Sequence, residues 1–261
     1  MSDVVMSVRD LCVDYITEQG PVRAADRVSF DLRRGEILGV AGESGSGKST
    51  MAQALMRILP PPAVISGGAV MFEGRDVLTM GENDLRAMRW NRISMVFQSA
   101  MDALNPVITV GEQIEDTLAA HRDISASAAR ARARELLEMV GIPGARVDAY
   151  AHQLSGGMRQ RVGIALALAL EPSVVILDEP TTALDVIVER EILEQIRVLQ
   201  RRIGFAVMFI THDLARMLQF SDRVAVFYAA RLVEIAPAKA LREAPRHPYT
   251  QGLIRAFPSV H

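Results

Sequence analysis

The sequence predicts an α/β fold: a core of parallel strands covered by helices, an N-terminal antiparallel β region and an inserted α-helical subdomain. Three observations carry this. Short unbroken apolar runs such as VVILD at 174–178 and FAVMFI at 205–210 alternate with helical stretches, which is how strands buried on both faces read. One apolar run, EILGV at 36–40, passes through a Gly/Ser loop directly into a helix. Between 98 and 170 the strand pattern gives way to helices alone.

In chain order, apolar residues spaced through Val8, Leu11, Val13 and Tyr15, then VSFDL at 28–32 and GGAVMFEG at 67–74, predict the antiparallel region. The helix after the Gly/Ser loop is expected to stop at the prolines 60–62. A strand follows at 93–97, then helices at 111–121, 125–140 and 156–170. Strands return at 174–178, 205–210 and 223–228, separated by helices. The expected division is a core of 1–97 with 171–261 and a helical insertion of 98–170.

Composition narrows the function. With 261 residues the chain can bury a full core. A net charge of −2 and a pI near 6.2 argue against a nucleic-acid binder. The arginine-rich ARARARE at 129–135 is followed closely by Glu138, and a solvated helix face is expected there. The single cysteine, Cys12, excludes an internal disulfide and a cysteine-only metal cluster, and reads as an inert buried thiol. No signal peptide is visible, and apolar stretches such as 164–170 fall short of the roughly 20 residues that span a bilayer. A soluble, cytosolic, reduced chain is expected.

The motifs specify phosphate chemistry. GESGSGKS at 42–49 fits G-x-x-x-x-G-K-[ST] and lies between a strand and a helix, as that pattern requires. Gly42, Ser44, Gly45, Ser46 and Gly47 let backbone amides fold around a phosphate, Lys48 reaches β/γ oxygens, Ser49 can ligate Mg²⁺, and Thr50 completes the turn. Among 29 basic residues only Lys48 and Lys239 are lysine, so a compact ammonium is needed at 48. Asp178 and Glu179 end an apolar strand at the edge where α/β sheets bind ligands. Asp178 would hold Mg²⁺ through water, and Glu179 would orient or deprotonate the attacking water. His212 follows another strand and reads as a γ-phosphate contact or a structural histidine. Gln98 follows a third, where its amide could touch Mg²⁺ or water. Tyr15 is an adenine-stacking aromatic or a plain strand aromatic. In QLSGGMRQ, the glycines open a helix at a cost of roughly 1 kcal/mol each. A Ser155 cap with bare amides at Gly156 and Gly157 is an anion site.

The order of residues 42–50, Gln98, LSGGMRQ, VVILDEP, TTALD and His212 resembles the ATPases of ATP-binding cassette transporters across essentially the whole chain. The resemblance implies a P-loop NTPase core, ATP with Mg²⁺, and two cassettes packed head to tail. Ser155, Gly156 and Gly157 then serve the partner's nucleotide, and Asp185 lies at the dimer interface. SAMDALNPVITVGEQI, PTTALDV and RHPYTQGLI are similar to the peptide/nickel importer group. That similarity implies a second ATPase subunit (a sister chain or a second copy), two membrane permeases, and an extracytoplasmic solute-binding protein acting indirectly. The implied place is the cytoplasmic face of the inner membrane. Leu104 and Asn105 are expected either to lie where the insertion meets the permeases or to pack the insertion itself. Ser99-Ala100 stands where relatives carry an acid and a proline, and no iron–sulfur cluster is expected, because the final residues lack the cysteines that many relatives carry.

The expected function is energy coupling by ATP hydrolysis for import of dipeptides or oligopeptides, with nickel or another small solute as alternative cargo. A non-transport cassette ATPase would need tandem cassettes or a long coiled coil, which 261 residues do not hold. A phosphoryl-transfer enzyme would leave LSGGMRQ, Gln98 and His212 unexplained.

Overall fold

The computed structural model describes residues 3–97, 103–181 and 184–256. In chain order the strands are β1 (Val4–Thr17), β2 (Gly20–Arg33), β3 (Ile37–Ala41), β4 (Ala63–Phe72), β5 (Arg75–Asp76), β6 (Ile93–Val96), β7 (Val174–Asp178), β8 (Ala206–Ile210), β9 (Arg223–Tyr228) and β10 (Arg231–Pro237). The helices are α1 (Lys48–Leu55), α2 (Glu82–Met88), α3 (Val110–Ala119), α4 (Ala126–Met139), α5 (Gly156–Leu168), α6 (Val186–Ile203), α7 (Leu214–Phe220), α8 (Ala238–Glu243) and α9 (Pro248–Ala256). Two compact units emerge, Met1–Arg86 with Ala206–His261, and Ala87–Phe205.

The first unit holds the expected antiparallel sheet, in the order β2-β1-β4-β5. Gly68, at φ 98, lets β4 approach β1 closely, since a Cβ there would sit 2.6 Å from the Leu11 Cα. The same unit carries β10-β9-β3-β8, with β3 parallel to both β8 and β9. β3 and β8 are buried along their whole length, which explains their uninterrupted apolar sequence.

α1 ends earlier than its sequence suggests, at Leu55 rather than at the prolines. The Arg57 amide donates to Ala54 O and the Ile58 amide to Gln53 O, with Arg57 at φ 51. That is a Schellman stop built on an arginine, so the glycine that usually announces one is missing. Its guanidinium is held by the carbonyls of Met80 (2.6 Å) and Val77 (3.3 Å). Cys12 is half-buried rather than buried, and its Sγ accepts the Arg27 amide at 3.4 Å.

The second unit pairs β6 with β7 in parallel and carries α3 to α6. α3 starts with a capping box, in which the Thr109 amide and hydroxyl donate to Glu112 at 2.6 and 2.7 Å and hold its carboxyl below the usual value. The arginines of α4 are not simply solvated. Arg130 bonds Glu115 and Asp148, and Arg132 bonds Glu135 and Glu171, all with the arginines partly buried. An Arg every second residue therefore fastens α4 to neighbouring segments on either side of the buried Ala129 and Ala133.

Candidate functional site

The phosphate loop grows out of β3. Gly42 (φ 151), Gly45 (φ 77) and Gly47 (φ 99) adopt conformations that L side chains avoid. A Cβ on Gly42 would strike the Phe227 carbonyl, and one on Gly47 the Ala24 carbonyl. Gly47 precedes Lys48, the first residue of α1, whose N-terminal turn holds no acidic side chain. Lys48 is 6% exposed, and its ammonium donates to Glu43 O at 2.7 Å, Gly42 O at 2.9 Å and Ser46 Oγ at 3.4 Å. Ser44 and Gly45 face solvent, and Ser49 and Thr50 are half-buried in the first turn. A cation bound by the loop's own oxygens at a helix N-terminus is a cradle for an anion.

The same unit brings two further predicted residues to this loop. Val40 pairs with Ile210, and Gly42 and His212 each follow two residues later, so parallel register puts the exposed His212 at the edge where the loop begins. The Tyr15 hydroxyl lies 3.3 Å from Thr50 Oγ1, which ties that strand aromatic to the first turn of α1. A charged network that the sequence did not announce lies nearby. Buried Asp14 pairs with Arg23 at 2.7 Å, and Asp26 pairs with Arg231 at 2.7 Å. Burial raises the Asp26 carboxyl, but the hydrogen bond and charge of Arg231, with the charges of Arg27 and Arg23, outweigh it and hold it below its usual value.

In the second unit, β7 delivers Asp178, 4% exposed, and then Glu179. Glu179 has φ 47, a left-handed conformation that is strained for a non-glycine residue and turns the chain sharply after the strand. Two residues on, Thr181 Oγ1 donates to Glu189 Oε1 at 2.5 Å, with both residues buried. Asp185 caps α6, accepting the amides of Val188 (3.0 Å) and Ile187 (3.1 Å). Ser155 caps α5 by accepting the Met158 amide at 3.3 Å, leaving Gly156 and Gly157 half-exposed in the first turn. A Cβ on Gly157 would lie 2.6 Å from Val188 Cγ1, so this glycine is also needed for packing within its own chain. Gln98 lies outside the described residues.

Sequence reasoning missed Glu189. Its signal was an acid on the buried face that continues through Ile192, Ile196 and Leu199, where charge is costly unless bonded.

Known proteins bear on this arrangement. A family model described as "ABC transporter" matches residues 25–182, and one described as "Oligopeptide/dipeptide transporter, C-terminal region" matches 233–261. The oligopeptide transport ATP-binding protein OppD of Bacillus subtilis is 46% identical, over 98% of this chain and 72% of that protein. The dipeptide transport ATP-binding protein DppD of Escherichia coli is 43% identical, over 97% and 78%. Among solved structures, a dimeric ATP-binding cassette in a post-hydrolysis state with ADP and Pi superposes with a TM-score of 0.79 at 27% identity, covering 89% of this chain and 98% of that one. The cbiO1 protein from Clostridium perfringens, part of the ABC transporter complex cbiONQ, gives 0.80 at 28% identity, covering 92% and 91%. The chain belongs to the ABC transporter family, as one of its ATP-binding, ATP-hydrolysing subunits.

Proposed function

We propose that the chain powers the import of dipeptides or oligopeptides by hydrolysing ATP at the cytoplasmic face of the inner membrane. The observation that carries the reading is one chain holding both a phosphate loop with Lys48 bound in its mouth and a match at 233–261 to the oligopeptide/dipeptide transporter C-terminal region. Names of relatives such as OppD and DppD support the cargo. No helix among the described residues is long and apolar enough to cross a membrane; in this reading two membrane permeases carry the cargo, and a solute-binding protein delivers it to them. A second cassette, sister or copy, completes the pair.

In this reading Lys48 and the amides of residues 42–50 bind the phosphates, and Tyr15 stacks on the adenine. Gly156 and Gly157 serve the partner's nucleotide, and Asp185 lies at the cassette interface. The hydroxyl of Ser49, the carboxylate of Asp178 and the amide oxygen of Gln98 are hard oxygen donors of the kind that would hold Mg²⁺ in this reading. Bound Mg²⁺ would neutralise charge on the β- and γ-phosphates. Glu179 orients and deprotonates the attacking water, and His212 contacts the γ-phosphate.

Glu179→Gln tests this. It preserves shape while removing the base, so ATP binding stays normal while turnover falls by roughly 10²–10⁴ and an ATP-bound dimer accumulates. The measurement is phosphate release without any acceptor, alongside sedimentation with ATP. Turnover near wild type, or an absolute need for a phosphoryl acceptor, would overturn the reading.

A further inference from the structure

The first turn of α6 touches two functional segments that lie far apart in sequence. Glu189 accepts the Thr181 hydroxyl at 2.5 Å, two residues beyond the strained Glu179. Val188, its neighbour, packs where the missing side chain of Gly157 would be. One turn further on, Arg161 of α5 clamps the same helix, donating to Gln195 at 2.7 Å and Glu191 at 2.9 Å. Arg161 also reaches the Val140 carbonyl at the end of α4 at 3.3 Å, so one guanidinium ties α5 to both α6 and the end of α4. α6 itself is fixed at its start by the Asp185 cap and ends at Gly204, φ 86.

Glu189 is an odd residue for this place. It is 7% exposed, on the buried stripe of an amphipathic helix where its neighbours are Ile192 and Ile196. If stability alone mattered, an apolar side chain of similar volume would serve as well or better, because burying a carboxylate costs solvation. What a carboxylate adds is a directional, charge-assisted grip on a hydroxyl. That grip falls on the turn leading out of Glu179, whose left-handed backbone persists only if its surroundings hold it.

We propose that Glu189 is a positioning residue: through Thr181 it fixes the turn that carries Glu179 and links that turn, by way of α6, to α5, whose first turn holds Gly156 and Gly157. The assignment rests on Glu179 being the catalytic base. Its consequence is that the turn bearing the carboxylate for one nucleotide and the helix bearing the glycines for the other are braced against the same helix, α6. A displacement of α5 when the partner's nucleotide arrives is then felt at Glu179.

The test uses the full chain, with kcat, the ATP dissociation constant by calorimetry, and the thermal midpoint measured for each variant. Glu189→Leu and Thr181→Val should each lower kcat roughly ten- to a hundredfold, the range for losing a buried hydrogen bond to a charged group. ATP affinity should stay within about twofold, since the phosphate loop is untouched, and the midpoint should fall less in the Glu189→Leu/Thr181→Val double variant than in Glu189→Leu alone, which leaves the Thr181 hydroxyl buried without this acceptor. Glu189→Gln, which keeps an acceptor, and Thr181→Ser, which keeps the donor, should recover most of the rate. The Glu189→Leu/Thr181→Val double variant should be no slower than either single one, because both remove the same bond. Wild-type kcat in Glu189→Leu, or losses that multiply in the double variant, would overturn the proposal. Should Glu189→Leu fail to fold, the Thr181→Val and Thr181→Ser pair decides the question. Glu179→Gln is run in parallel. If it turns over at the wild-type rate, the catalytic reading itself fails; if it is slow while Glu189→Leu is fast, only the role of Glu189 falls.

Discussion

Lys48 shows how much of the chemistry is decided by one side chain. Its ammonium donates to Ser46 Oγ and to two carbonyls of the loop it anchors, those of Gly42 and Glu43. A tetrahedral point donor can satisfy such a converging set, whereas a planar guanidinium cannot. The chain writes nearly all its other cations as arginine, so the lysine reflects geometry rather than compositional habit. Lys48→Arg should therefore behave as a loss despite keeping the charge. ATP affinity should weaken by at least roughly tenfold, the scale of one charge-assisted hydrogen bond, and turnover should fall with it. Calorimetric titration with ATP measures the first and phosphate release the second. Wild-type affinity in Lys48→Arg would mean that charge alone is sufficient there.

At the scale of elements, the segment RHPYTQ explains itself once β10 and α9 are seen together. Glu234 of β10 accepts the amides of Arg246 (2.8 Å) and His247 (2.9 Å), and His247 Nδ1 accepts the Tyr249 amide at 3.2 Å. Pro248 is the first residue of α9, where its missing N–H costs nothing, and Gln251 closes back on Pro245 O at 3.1 Å. Tyr249 then stacks on Tyr228, with ring centroids 4.4 Å apart. Its phenol is pushed above the usual value first by burial and then by the charge of Glu43 in the phosphate loop. Burial raises the Glu234 carboxyl, but the amides of Arg246 and His247, with smaller help from Thr250 and the charge of His247, outweigh it and leave it below its ordinary 4.5. A carboxyl depressed in the native state adds stability above its unfolded value and loses it as pH falls through the lower native one. Glu234→Gln should thus be less stable than wild type at neutral pH, with the gap closing below about pH 4.5. Denaturant unfolding at both pH values checks this, and a gap constant with pH would refute it. The sequence made the strands and the capped helices plain, because burial on both faces and Ser, Thr or Asp at N-caps leave local marks. It hid β10, whose half-buried RLVEIAP lacks a clean period, and the end of α1, stopped by a left-handed arginine. The phosphate loop and the acidic strand end were legible as motifs. Glu189 and the packing need of Gly157 were not, because each depends on a contact with a residue distant in the sequence.

For the molecule as a whole, the question is how ATP turnover reaches a membrane that none of its described helices can cross. In the proposed transporter, coupling would pass through exposed surface, since permeases can bias the cassettes only where they touch them. The insertion's first stretch offers Leu104, Asn105 and Val107, and the structure separates them. Leu104 is 6% exposed, and Asn105 is tied to its neighbourhood: its amide donates to Gln113 at 2.9 Å, and its Oδ1 accepts the Val107 amide at 3.1 Å. Leu104 therefore packs the insertion, whereas Asn105 is exposed and shapes the turn that carries Val107. Val107 is 76% exposed, an apolar side chain held outward by the Asn105 turn next to the capped start of α3. An apolar group presented on a rigid mount is what a partner's pocket takes up, and an isolated exposed valine costs the free chain little. Val107→Asp should leave the fold and the slow basal ATPase of the isolated chain unchanged, within about 0.5 kcal/mol for an exposed site. In the assembled transporter it should abolish the rise in ATPase driven by the permeases and loaded binding protein, along with peptide uptake into vesicles. Leu104→Ala should do the reverse, lowering thermal stability by about 2–5 kcal/mol as a buried truncation does and affecting basal turnover in proportion. If Val107→Asp couples as well as wild type, the contact lies elsewhere on the insertion; if it depresses basal ATPase in the isolated chain, Val107 supports the fold and presents nothing to a partner.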